Sequence, residues 1–189
     1  MNKIFHHVNL IGWDEILSNH NKYNESRSYY YCDTWSLLII ALFWGTVLKR
    51  FPGPQQWYSL QDKSGFLILS ANTLLTNSFV LPFFNSNISM IKFAKSFSST
   101  NTNLIIGISS PKQNLLSYFM VKYSNLPINC NIYCLGAAIY YAPKFFIPFF
   151  SFLFYSPLRA FLKMFLTFKY IFLAFRHPRL FSSYLNLFK

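Results

Sequence analysis

The chain's 189 residues suffice for one domain with an appendage and exclude a pair of large domains. Only 12% are charged and 53% hydrophobic, against roughly 25% charged in a typical soluble domain, which excludes a surface evenly solvated by ions. Seventeen Lys+Arg oppose five acids for a formal +12, so a partner matched by charge is an anion: a lipid headgroup, a diphosphate or a nucleic acid.

Residues 1–30 are polar and rich in Asn and Tyr, with weak periodicity, and no element is assigned there. The short apolar stretch at the N-terminus is broken by His6-His7 and followed by acids, unlike a secretory signal, so a cytoplasmic location is expected. The five acids are Asp14, Glu15, Glu25, Asp33 and Asp62; beyond Asp62 the sequence has no carboxylate side chain, while basic residues continue to Lys189. Residues 34–48 predict a helix of about four turns, too short to span a bilayer. Arg50-Phe51-Pro52-Gly53-Pro54 breaks it. Phe66–Ser70 predicts a buried strand, a helix is expected over 71–79, and 88–97 has helical spacing with Lys92 and Lys95. Leu104–Ile108 predicts a second strand, running into Ser109-Ser110-Pro111-Lys112-Gln113, where Pro111 suits a first helical turn. Ile132–Leu135 predicts a third strand, ending in Gly136-Ala137-Ala138.

Strands alternating with helices predict an α/β fold: a Rossmann-like, mostly parallel sheet with helices over residues 1–144. Ligands bind such sheets at the strand carboxyl ends, where both SSPKQ and GAA fall. From Phe145 to Lys189 the composition turns Phe-rich, basic and acid-free, predicting an amphipathic helical appendage. At about 100° per residue, Arg159, Lys163, Lys169 and Arg176 fall in an arc of about 140° opposite a Phe/Leu face, the pattern of a helix lying at a membrane surface. The uncharged run 145–158 is broken by Pro148 and Pro157 and is short of the ~20 residues a span requires. Cys32, Cys130 and Cys134 lack the partners of a zinc site and read as free thiols.

Several segments resemble the WecG/TagA/CpsF family of bacterial glycosyltransferases. Ile105–Gln113 (IIGISSPKQ) is similar to the family's strand and Gly-x-x-x-Pro-Lys-Gln turn, and Ile132–Ala138 (IYCLGAA) to its next strand and Gly-Ala loop. Ala142-Pro143-Lys144 resembles its Ala-Pro-Lys segment, and Arg176–Tyr184 (RHPRLFSSY) its closing Pro-Arg-Leu element. Upstream, Cys32-Asp33-Thr34 stands where the family has Pro-Asp-Gly, and Arg50 begins a segment like its Arg-x-x-Gly. The departures are Asn114 where a glutamate usually follows Pro-Lys-Gln, Tyr140 or Tyr141 in place of an acid, and Ser182-Ser183 where arginines are common.

The resemblance implies an inverting, metal-independent transfer of a sugar from a nucleotide-sugar donor (a UDP-sugar) to a lipid-diphosphate-linked acceptor, without a cofactor. The residues permit it: with no Asp-x-Asp pair for a divalent ion, Arg, Lys or backbone N–H groups must meet the leaving-group charge. Asp33 is the candidate base, and Asp33-Thr34 before an apolar run is equally a helix N-cap signature. Arg50, Lys112, Gln113, Gly136 and Ala137 are candidates to bind donor; a solvated cation, a surface turn and tight packing are their plainer readings. Arg159, Arg176 and Arg179 are candidates to clamp the acceptor diphosphate, or simply attract anionic lipid. An anionic membrane surface is therefore an expected partner, on the inner face of the cell membrane, with self-association left open. Nucleic acid is not expected, because the Phe residues sit in apolar runs rather than interleaved with Lys, Arg and Gly. The alternative function is a catalytically inactive membrane-surface protein derived from the same fold.

Overall fold

The computed structural model describes residues 2–19, 23, 27–33, 35–49, 51, 53–61, 65–71, 78–136, 139 and 157–188. Its strands are β1 (Lys3–Val8), β2 (Arg27–Cys32), β3 (Phe66–Ser70), β4 (Ser78–Val80), β5 (Asn103–Gly107) and β6 (Asn131–Cys134). The helices are α1 (Leu10–Ser18), α2 (Trp35–Phe43), α3 (Gly53–Gln61), α4 (Asn87–Ser96), α5 (Lys112–Tyr123), α6 (Pro157–Arg176) and α7 (Pro178–Leu185). The six strands form one sheet in the order β2-β1-β6-β5-β3-β4. All of its pairs are parallel, as the α/β reading expects.

Parallel strands are buried on both faces, which is why FLILS, NLIIG and NIYC carry nearly continuous apolar runs. Alternation then divides β3, β5 and β6 between two cores. On the first face Leu104, Ile106 and Ile132 join α1, α2, α4, α5, α6 and α7 in the larger core. On the second, Ile68, Ile105 and Tyr133 pack with Trp57 and Leu60 of α3 and with Ile139. Local chemistry sets the helix starts: Asn9 Oδ1 accepts the Gly12 N–H at 2.9 Å above α1, and Ser86 and Ser89 form a reciprocal cap on α4.

The expected helix over 71–79 is corrected at its end. Ser78–Val80 is a strand, paired from Ile68↔Ser78 to Ser70↔Val80, and Phe79 packs against Phe93 and Phe97. Tertiary pairing outweighs the local pattern there; residues 72–77 lie outside the described residues, as does the expected division at 144/145.

The tail packs on helices α1 and α2. Leu166, Tyr170 and Ala174 of α6 are buried, and Phe181 and Leu185 of α7 lie in the same core. Phe181 stands edge-on to Trp13 and Trp44 at 6.0 and 5.6 Å. Asp14 Oδ1 accepts from Lys169 Nζ at 2.5 Å and from the Tyr170 hydroxyl at 2.6 Å, so α6 is tied to α1 by one of the chain's five acids. Phe188 then bridges Tyr30 in parallel on the outer side of β2. Among the described residues, no helix is long and apolar enough to cross a membrane.

Candidate functional site at the carboxyl edge of the sheet

Because every strand runs the same way, their carboxyl ends share one edge, and Asp33, Ser109–Gln113 and Gly136 all follow strands there. Only β1 separates β2 from β6, so Asp33 and Gly136 leave the sheet roughly 10 Å apart laterally, at about 4.8 Å per strand. Asp33 and the Pro-Lys-Gln turn share this edge, but the Asp33 carboxylate meets α3, which packs on the second face, whereas α5 packs on the first.

The Asp33 N–H donates to Val8 O at 3.1 Å, extending the β1–β2 ladder by one residue. Asp33 Oδ1 accepts the Gly53 N–H at 3.0 Å, so the carboxylate caps the first turn of α3, a helix twenty residues further along. Phe51 N–H donates to Cys32 O at 2.9 Å, laying the segment before α3 across the end of β2. The cap signature at Asp33-Thr34 points to the helix that follows it; the carboxylate instead caps α3, distant in sequence. Arg50 lies outside the described residues.

Gln113 is buried at the start of α5. Its Nε2 donates to Ser110 Oγ at 2.9 Å, and its Oε1 has no partner among the described residues. That oxygen lies against Gly136, where a Cβ would meet it at 3.1 Å, and Gly136 has φ +62°. Glycine is needed there twice over, for backbone sign and for closeness. A buried, unmatched amide oxygen at the strand edge suits a ligand N–H or hydroxyl.

Lys112 points elsewhere: its Nζ donates to Phe84 O at 2.6 Å and stands 4.7 Å from the Phe83 ring centroid. Ala137 lies outside the described residues, as does the side chain of Arg159 on α6. Arg176 and Arg179 are exposed where α6 meets α7, lining a shallow depression with His177, Pro178 and Leu180. These arginines sit together, on the tail rather than among the residues described at the sheet edge.

The sequence alone assigns no site role to His6, His7 or Asn114. Asn114 is wholly buried and donates from Nδ2 to His6 Nδ1 at 2.9 Å, while its Oδ1 accepts from Ser110 Oγ at 3.4 Å. A chain of polar contacts thus runs from β1 through Asn114 and Ser110 to Gln113. His6 also stacks on Tyr30 at 5.2 Å, and burial, with the neighbouring His7, pushes its pKa down to about 3. His7, on the opposite face of β1, bonds through Nδ1 to Phe51 O at 3.0 Å. Its pKa is lowered by burial against an opposing pull from Asp33. The signal available in the sequence was KIFHHV itself, apolar on alternate positions once the histidines are counted as buried.

Cys32, Cys130 and Cys134 are free and buried; burial pushes the thiols of Cys130 and Cys134 up to about 11 and about 12, so neither is a thiolate at neutral pH.

Fold and edge define an α/β protein with a Rossmann-like, all-parallel six-stranded sheet. No family model, no curated protein and no solved structure matches the chain, so its likeness to the WecG/TagA/CpsF family rests on the motifs quoted above.

Proposed function

We propose that the chain is an inverting, metal-independent glycosyltransferase that moves a sugar from a UDP-sugar to a polyprenyl-diphosphate-linked saccharide at the cytoplasmic membrane surface. The observation that carries the reading is the shared carboxyl edge of Asp33, Gln113 and Gly136. In this reaction Asp33 takes the proton of the acceptor hydroxyl as that oxygen attacks the anomeric carbon. The bond from that carbon to the donor diphosphate breaks, and its electron pair leaves with UDP. Gln113 and the backbone at Gly136 hold the donor, and Arg50, Arg176 and Arg179 meet phosphate charge.

Membrane contact is supported by α6. Phe161, Phe165, Phe168, Phe172 and Phe175, spaced 4-3-4-3, are each between 59% and 76% exposed, directly opposite the buried Leu166, Tyr170 and Ala174. Exposed Leu162 and Met164 widen this arc beyond the narrow seam that a partner helix would fill. The tail carries no acid, so anionic lipid complements it and a second copy of the same face does not.

The test is UDP release by the full-length protein across a panel of UDP-sugars, with and without a polyprenyl-diphosphate-linked sugar. Acceptor-dependent release that Asp33→Asn abolishes without loss of fold is expected; undiminished release in that variant removes Asp33 as the base. A second reading, an inactive membrane-surface protein, draws on the use of Asp33 Oδ1 as a helix cap. It predicts vesicle binding with no UDP release from any donor.

A further inference from the structure

The carboxylate proposed as the base does not stand alone: the segment that touches it is fixed from the other side by a buried histidine. His7 is 2% exposed, with its ring stacked on Tyr31 at 5.5 Å and tilted against Phe51 at 5.7 Å. The carbonyl of Phe51 only accepts, so the 3.0 Å contact requires the proton on Nδ1. Nε2 is then a bare acceptor, with no partner among the described residues. Two residues beyond Phe51, the Gly53 N–H meets Asp33 Oδ1, and Phe51's own N–H is held by Cys32 O. Phe51 and Gly53 are thus fastened by His7, Cys32 and Asp33, three groups from two neighbouring strand ends.

We propose that His7 is a positioning residue for Asp33: its Nδ1–H fixes the Phe51 carbonyl, and the segment so held keeps Gly53 on one carboxylate oxygen and sets the direction of the other. The inference rests on the proposed role of Asp33 in transfer, but its structural half can be judged without that role. Apolar replacement leaves the Phe51 carbonyl without its ring donor and frees the segment to shift. Asparagine places an amide N–H near the position of Nδ1, whereas glutamine carries its N–H near that of Nε2.

The experiment uses the full-length protein and the variants His7→Leu, His7→Asn and His7→Gln. Long-range ¹H–¹⁵N spectra of the wild type should show the Nδ1–H tautomer of His7; an Nε2–H tautomer overturns the proposal. Exchange of the Gly53 amide should quicken at least about tenfold in His7→Leu and His7→Gln, and stay near wild type in His7→Asn. Equal protection in all four proteins overturns it. In UDP-sugar transfer, His7→Leu should lower kcat by about 100-fold, the scale of a misplacement near 1 Å, with the donor KM changed less than about threefold. His7→Asn should restore most of that loss. An unimpaired His7→Leu, or a His7→Asn as defective as His7→Leu, overturns the positioning role. If His7→Leu does not fold, the wild-type tautomer and the Asn–Gln contrast still decide. If the wild type turns over no donor, the transferase reading falls, and the tautomer and the Gly53 amide judge His7 alone.

Discussion

Acidifying the protein from pH 7.5 to 5.0 should cost it stability through one buried side chain above all. His6 is fully buried, accepts the Asn114 amide N–H at Nδ1, and stacks on Tyr30. A proton on Nδ1 would set donor against donor, and a charged ring would lie without water. Its folded pKa of about 3 is below the ordinary 6.5, so below pH 6.5 the unfolded chain takes up a proton that the folded chain refuses. The stability is therefore complete above pH 6.5 and is lost as pH falls toward 3. Integrating that single proton between pH 7.5 and 5.0 gives a loss of about 2 kcal/mol. His7 adds to it with the same sign, moderated by Asp33. The assay is urea unfolding at closely spaced pH values, ended at pH 5.0 so that the carboxylates contribute little. His6→Phe keeps the stack on Tyr30 but strands the Asn114 amide; it should be less stable at pH 7.5 by about 1–3 kcal/mol and should lose about 2 kcal/mol less on acidification. Parallel pH curves for the two proteins would refute the reasoning.

Gly136→Ala should destabilise the fold by about 1–2 kcal/mol, the cost of a left-handed backbone in a non-glycine residue, and should also displace Gln113, which denaturant unfolding and donor KM would report together. Asp14→Ala removes the acceptor of the Tyr170 hydroxyl and should cost about 1–2 kcal/mol, mostly from that bond because the nearly half-exposed Lys169 is screened; faster amide exchange along α6 would show it. Phe165→Glu with Phe172→Glu should abolish sedimentation with anionic vesicles and leave the melting temperature within about 2 °C. Unchanged sedimentation would remove the Phe stripe from membrane contact.

The sheet's centre was legible because FLILS, LIIGI and IYCL are nearly continuous apolar runs, as strands buried on both faces are. Its left side was not. KIFHHV hides a strand because two histidines occupy buried positions that Asn114, Tyr30, Tyr31 and Phe51 make tolerable. RSYYYC likewise conceals alternation within tyrosines that are polar by composition and aromatic by contact, with Phe5 stacked between Tyr29 and Tyr133. The Pro-Lys-Gln turn was visible as chemistry, yet the sequence could not show that Gln113 turns inward to Gly136 while Lys112 turns away to Phe84. The tail's period was readable too, but not which stripe would face the protein. The basic arc suggested a helix lying free; packing against α1 consumes much of that side and leaves the phenylalanines outward.

Tyr30's parallel bridge to Phe188 gives the strand leading into Asp33 a neighbour on what would otherwise be a bare margin. At the opposite margin β4 offers three residues among those described, a short template for an incoming strand. The sheet thus meets solvent with one margin bridged at a single residue and the other cut short, which matters for a protein with so much grease on one helix.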